Sequence, residues 1–305
     1  MKGLLALLMK GRTQAVMGTV VMAMMALLIT PLSVVSAGLV VLATLRNGAR
    51  EGLLVVLLSS LALMALGGLI FQAPLAMAGI GLMLWLPAWG LGTVLGRGRS
   101  LMKALETAVL AGFALVAAQY LLLGDPAAFW AGLLQDYMSQ ALDPSVVPED
   151  QQRLLLHTIA GWMPGGVAAS WCLSMMLGLM FGRWGQAVLD RPGGFGGEFR
   201  TLRVSRMWLY LLPLLLLISL LGEGPNIAGQ LYLVAMLLFL MQGLSVAHGL
   251  VAVTGAARGW LYGLYFLMVV GMPHSVTAIA AAGYADGWLD FRAKVRGTGR
   301  PPGSG

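Results

Sequence analysis

Charge is scarce in this sequence of 305 residues: Lys and Arg number 19 and Asp and Glu 12, together 10% of the chain, where soluble domains carry about 25%. With 59% hydrophobic residues and a mean hydropathy of +0.84, such a chain falls outside the soluble class. Cysteine is scarcer still, and the single copy, Cys172, lies inside an apolar run and excludes an intrachain disulfide. The three histidines, His157, His248 and His274, stand at spacings that match no compact ligand motif, so no metal site is expected. No Ser/His/Asp or Cys/His arrangement occurs in a loop, and the adjacent carboxylates Glu149 and Asp150 belong to a solvated segment. No catalytic residue is therefore assigned, no cofactor is expected, and the chain is read as having no catalysis of its own.

What is present is apolar sequence in runs of about 20 residues, long enough to cross a hydrocarbon core about 30 Å thick. Lipid cannot satisfy backbone polar groups, so these runs must be helices, and the dyad alternation of membrane barrels is missing. The expected fold is an all-α polytopic transmembrane helix bundle of eight to ten spans with one amphipathic outer segment. Expected spans cover residues 14–30, 32–45, 53–70, 75–95, 104–123, 154–181, 208–221, 227–253 and 260–282. Pro31 marks the first hairpin, Pro164 with Gly165 and Gly166 a kink, and Pro273 a second hairpin. In the acidic segment 124–153, apolar residues recur at helical spacing from Ala127 to Met138, as in a helix lying on the membrane. Residues 1–290 are read as one integral membrane domain, divided into two helical halves by the loop 183–206. Residues 291–305 are read as a basic, disordered cytoplasmic tail.

The net charge of +7 is spread over short inter-helix loops, so topology explains it better than nucleic acid does. Five arginines (Arg183, Arg191, Arg200, Arg203, Arg206) against Asp190 and Glu198 place the loop 183–206 in the cytoplasm. Alternation then puts the amino terminus, the Arg46–Glu51 knot, the Arg97–Lys103 loop and Arg258 on the same side. Arg153 is the exception. The start MKGLLALLMKGR has no small-residue cleavage site and is read as a mature cytoplasmic end or short interfacial helix. An even number of spans, with both termini cytoplasmic, fits the basic tail.

Four constellations remain. Gly193, Gly194, Gly196 and Gly197 lack the following Gly-Lys-Ser/Thr of a phosphate loop. Phe195, Phe199 and Leu202 form an apolar strip beside Arg200, Arg203 and Arg206, as in an interfacial helix whose arginines meet lipid headgroups or a protein partner. Ionisable side chains are nearly missing from the spans, which carry instead Gln119, Tyr120, Ser170, Gln242, Ser245 and His248; a proton pump is disfavoured. Small-xxx-small pairs at Gly92/Gly96, Gly161/Gly165, Gly178/Gly182 and Gly259/Gly263 point to close packing of helices within the chain.

Three polar knots carry a resemblance: LATLRNGAREGL (Leu42 to Leu53), PGGFGGEFRTLRVSR (Pro192 to Arg206) and AGYADGWLDFR (Ala282 to Arg292). Through Arg46, Gly48, Phe199, Arg200, Leu202, Arg203, Gly283, Asp286, Asp290 and Arg292, the chain resembles the YybS-like family of bacterial integral membrane proteins. That resemblance implies a helix arrangement similar to the substrate-binding membrane subunits of energy-coupling-factor vitamin transporters. It carries over no catalytic residue. The expected function is small-molecule binding or transport in the bacterial cytoplasmic membrane. Gln119, His157, Gln242 and His248 are the candidate contacts around a cavity between the first hairpin and the fifth, sixth and eighth spans. The alternative is a structural or scaffold protein that recruits partners through its basic loops.

Overall fold

The computed structural model describes residues 2–141, 148–222 and 224–298; the Asp143-Pro144 break and the tail from residue 299 lie outside the described residues. The chain is all-helical, 87% helix, with no strand among the described residues. The helices are α1 (Lys2–Leu8), α2 (Arg12–Ala26), α3 (Leu32–Asn47), α4 (Ala49–Phe71), α5 (Pro74–Gly98), α6 (Leu101–Leu123) and α7 (Pro126–Ala141). They continue as α8 (Glu149–Asp190), α9 (Gly194–Phe199), α10 (Arg206–Leu221), α11 (Ile227–Thr254), α12 (Gly259–Val270), α13 (His274–Leu289) and α14 (Phe291–Thr298). Five of them, α4, α5, α6, α8 from Asp150 onward, and α11, are long and apolar enough to cross a membrane.

Local chemistry sets the breaks. Gln72 closes α4 in the left-handed conformation and Pro74, with no N–H to lose, opens α5. Asn226 caps α11 by accepting from the Gly229 N–H at 3.0 Å, and Gly255 ends it at φ 67°. The helix α8 is continuous through Pro164, where a kink is expected, and runs for 42 residues. The divider expected from Arg183 thus begins as helix, and non-helical chain starts only after Asp190.

The chain divides into two compact units: residues 1–108 with 173–200, and residues 109–172 with 201–305. The first unit is organised on α3, whose residues Ser36 to Thr44 are all buried. The Trp85 indole N–H donates to Ser36 Oγ at 2.9 Å, and Ser36 Oγ donates to Thr19 O at 2.7 Å, tying α5, α3 and α2 together. Small residues admit α8: a Cβ at Gly38 would meet Phe181, and one at Gly182 would meet Val41.

The second unit is organised on α11, most of it buried. Gln230 there donates to Tyr120 Oη at 2.8 Å and to Gly161 O at 3.0 Å, joining α6 and α8 to its outset. The helix α13 runs beside α11 in the same direction, with Gly283 beside Phe239 and Asp286 beside Gln242, and on α14 Arg292 lies beside Ser245. The chain between them, α12, has no buried residue and shows Trp260, Phe266 and Val269 outward, as a lipid-facing helix would. The segment expected to be a disordered tail starts with α14.

Candidate functional site

The second unit buries an ion pair that the composition does not advertise. Asp286, on the last turn of α13, is 1% exposed and Arg292, on α14, 4%. Arg292 Nη2 donates to Asp286 Oδ2 at 2.8 Å and to Leu202 O at 2.9 Å, while Nη1 donates to Ser245 Oγ at 3.1 Å. Gln242 Nε2 donates to the same Asp286 oxygen at 3.2 Å, and Gln242 Oε1 accepts the Val204 N–H at 2.8 Å. Asp286 Oδ1 accepts the Phe291 N–H at 3.0 Å. A buried ion costs several kcal/mol unless it is paired and hydrogen-bonded, and here both conditions hold. The network clamps the non-helical segment 202–204 onto α11 and α13. Outside it, Arg203 pairs with Asp290, whose carboxyl is held below the usual range chiefly by the hydrogen bond from Arg203 and also by the Ala293 N–H.

The same unit holds a cleft of about 620 Å³ among α8, α10, α11 and the turn after α10. Trp162 and Tyr232 give it aromatic walls, Thr158 and Ser219 give it hydroxyls, and Gly229 lets the chain approach. A Cβ at Gly229 would touch the Trp162 ring. No charged side chain lines it among the described residues.

In the first unit the basic knots collect at one end. Arg12 Nη2 lies 2.8 Å from Glu51 Oε1, Arg46 Nη2 lies 3.3 Å from Asp190 Oδ1, and Arg183 Nε donates to Glu198 Oε2 at 2.8 Å. Gln186 Nε2 reaches Leu45 O at 3.4 Å. Between them opens a polar cleft of about 410 Å³ at the ends of α3, α5 and α8. Arg99 enters it from the left-handed cap of α5 at φ 49°, a conformation that costs a non-glycine residue about 1–2 kcal/mol.

The four candidate contacts do not gather around one cavity. Gln119 donates to Pro164 O at 3.1 Å and accepts the Trp130 indole N–H at 3.1 Å, an inter-helix tie. His157 precedes Thr158 on α8 but is not among the residues lining the cleft. Gln242 belongs to the buried network, about 18 Å along α11 from Gln230. His248 Nδ1 is 2.9 Å from Leu244 O, with Tyr265 Oη at 3.5 Å from Nε2. Nor do Arg200, Arg203 and Arg206 share one helical face: α9 ends at Phe199, Arg200 caps it, Arg203 lies in the non-helical chain that follows, and Arg206 opens α10. The sequence does carry one signal for the network. Gln242 and Ser245, three apart on an apolar helix, present one polar face, and Asp286 and Arg292 supply its partners. Comparison with protein-family models, curated proteins and solved structures found no match.

Proposed function

We propose that the chain is a ten-span protein of the bacterial cytoplasmic membrane that binds a small molecule and passes it on without transforming it. It would be a member of the YybS-like family, working in the manner of a vitamin-uptake substrate-binding subunit. The observation that carries this reading is the cleft lined by Trp162 and Tyr232, whose roughly 620 Å³ lies within the range of small-molecule sites. Its aromatic walls and two hydroxyls suit a flat, uncharged ligand.

The ten spans are α2, α3, α4, α5, α6, α8, α10, α11, α12 and α13. Two observations support this count and cytoplasmic termini: the ion pairs and cleft that collect the basic knots at one end of the first unit, and the meeting of residues 286–292 with loop 202–204 in the second. With that orientation the ligand cleft lies at the outer end, beside Gly222 and Gly224.

Native mass spectrometry of the protein extracted with its bound molecules tests the reading. The expected result is one non-lipid small molecule retained by the unaltered chain and lost from Trp162→Ala and Tyr232→Ala. Bulk lipid alone, unchanged in both variants, would sink it. The second reading, a scaffold, draws on the exposure of Arg200, Arg203 and Arg206. It predicts a protein partner lost from Arg200→Ala/Arg203→Ala with no ligand bound.

A further inference from the structure

The first unit contains a second cleft that the small-molecule reading leaves unused. Its walls are apolar where α3 and α5 end, at Leu45 and Leu95, and cationic beyond, at Arg99, Arg183 and Arg191. The two carboxylates at its rim are already committed, Glu198 to Arg183 and Asp190 to Arg46. Arg99 and Arg191 have no carboxylate partner among the described residues. Three arginines therefore line a space of about 410 Å³, and the side chains of two of them, Arg99 and Arg191, are exposed and hold no carboxylate, so they are open to an anion. Guanidinium is the side chain best matched to phosphate oxygens, which it meets with two parallel hydrogen bonds. The position matters equally: Leu95 and Arg99 stand at the end of a helix long and apolar enough to cross a membrane, where headgroups begin.

We propose that this cleft binds a phosphate group through Arg99 and Arg191, with Arg183 held ready by Glu198 and Gln186. The phosphate belongs either to an anionic lipid headgroup, whose chains would follow the apolar wall, or to a soluble phosphorylated molecule. The simpler role for these arginines is compensation of the α5 and α8 carboxyl-terminal dipoles, which needs no ligand.

Full-length protein in detergent, delipidated and then titrated with phosphatidylglycerol, phosphatidylcholine or glycerol 3-phosphate, separates the cases by native mass spectrometry and thermal shift. Retention of phosphatidylglycerol over phosphatidylcholine, reduced about fivefold for each arginine removed in Arg99→Gln and Arg191→Gln, supports the lipid headgroup. A thermal shift with glycerol 3-phosphate, lost in the same variants, supports the soluble source. Lys10→Gln, at the amino-terminal end of the same unit, should leave either signal unchanged. If the combined Arg99→Gln/Arg191→Gln variant cannot be recovered, the single variants still give the answer. Binding of the lipids and of glycerol 3-phosphate that is untouched by the substitutions overturns the proposal and leaves the arginines as helix-end charges.

Discussion

Arg292 reaches back six residues, across the left-handed break at Asp290, to lay its guanidinium 2.8 Å from the Asp286 carboxylate in a place almost closed to solvent. The pair orders the start of a segment whose composition reads as tail, and it holds loop 202–204 by that loop's own backbone. Removing one partner should therefore cost more than removing both. Arg292→Met leaves a lone buried carboxylate and should lower stability by about 3–5 kcal/mol, whereas Asp286→Leu/Arg292→Met should lose less than half of that. Thermal unfolding in one detergent checks the order. If the double variant proves the less stable of the two, the pair is not what the network depends on.

Acid should loosen the contact between Arg203 and Asp290. Arg203 holds the Asp290 carboxyl below its usual range of about 4, so folding binds fewer protons there than the unfolded chain does. The contact is complete above that range and is lost as pH falls through the lowered folded-state value. Hydrogen exchange at the Ala293 amide, which donates to Asp290 Oδ1 at 3.1 Å, should accelerate below about pH 4 after correction for intrinsic rates. Asp290→Asn should remove that dependence. A flat profile in the unaltered chain would count against the ion pair.

Between α11 and α13 the backbones touch. A Cβ at Gly283 would fall on the Phe239 carbonyl oxygen, and one at Gly243 on the Ile279 carbonyl oxygen. Backbone cannot step aside as a side chain can, so Gly283→Ala and Gly243→Ala should each destabilise by about 1–3 kcal/mol or more. Gly263→Ala, where nothing lies within 4 Å of the added carbon, should be neutral. Chemical denaturation of the three variants decides the matter, and equal midpoints would refute the close approach.

The lone buried thiol makes sidedness measurable. Cys172 is fully buried and should stay unlabelled by a membrane-impermeant maleimide until the protein is unfolded. Against that silent background, Gly132→Cys on α7 should label in intact cells and Gly98→Cys at the end of α5 only after permeabilisation. Both positions are open, with nothing within 4 Å of an added Cβ. The reverse pattern would invert the topology.

Almost every helix was legible in the sequence, because the cost of an unsatisfied peptide in lipid and the length needed to cross it are local properties. The runs around residues 53–70, 75–95 and 227–253 became α4, α5 and α11 with little change at their ends. The hairpin expected at Pro273 separates α12 from α13, since proline cannot continue the helical ladder. Less legible was the continuation of α8 to Asp190: its charges looked like loop, but Arg183 and Asp190 are held by Glu198 and Arg46.

The candidate sites were another matter. Of the four polar residues chosen as contacts, Gln242 entered a buried network, Gln119 became a tie between helices, and His157 and His248 stayed apart from both clefts. Hydropathy and charge spacing along the chain by themselves determined the all-helical class and most of the helices, five of which are long and apolar enough to cross a membrane. Tertiary structure alone decided that Asp286 meets Arg292, that Gly283 meets Phe239, and that Arg99 and Arg191 face one cleft. Each of these depends on the register between helices distant in sequence, and in an apolar solvent that register is set by small residues and polar partners rather than by hydrophobicity.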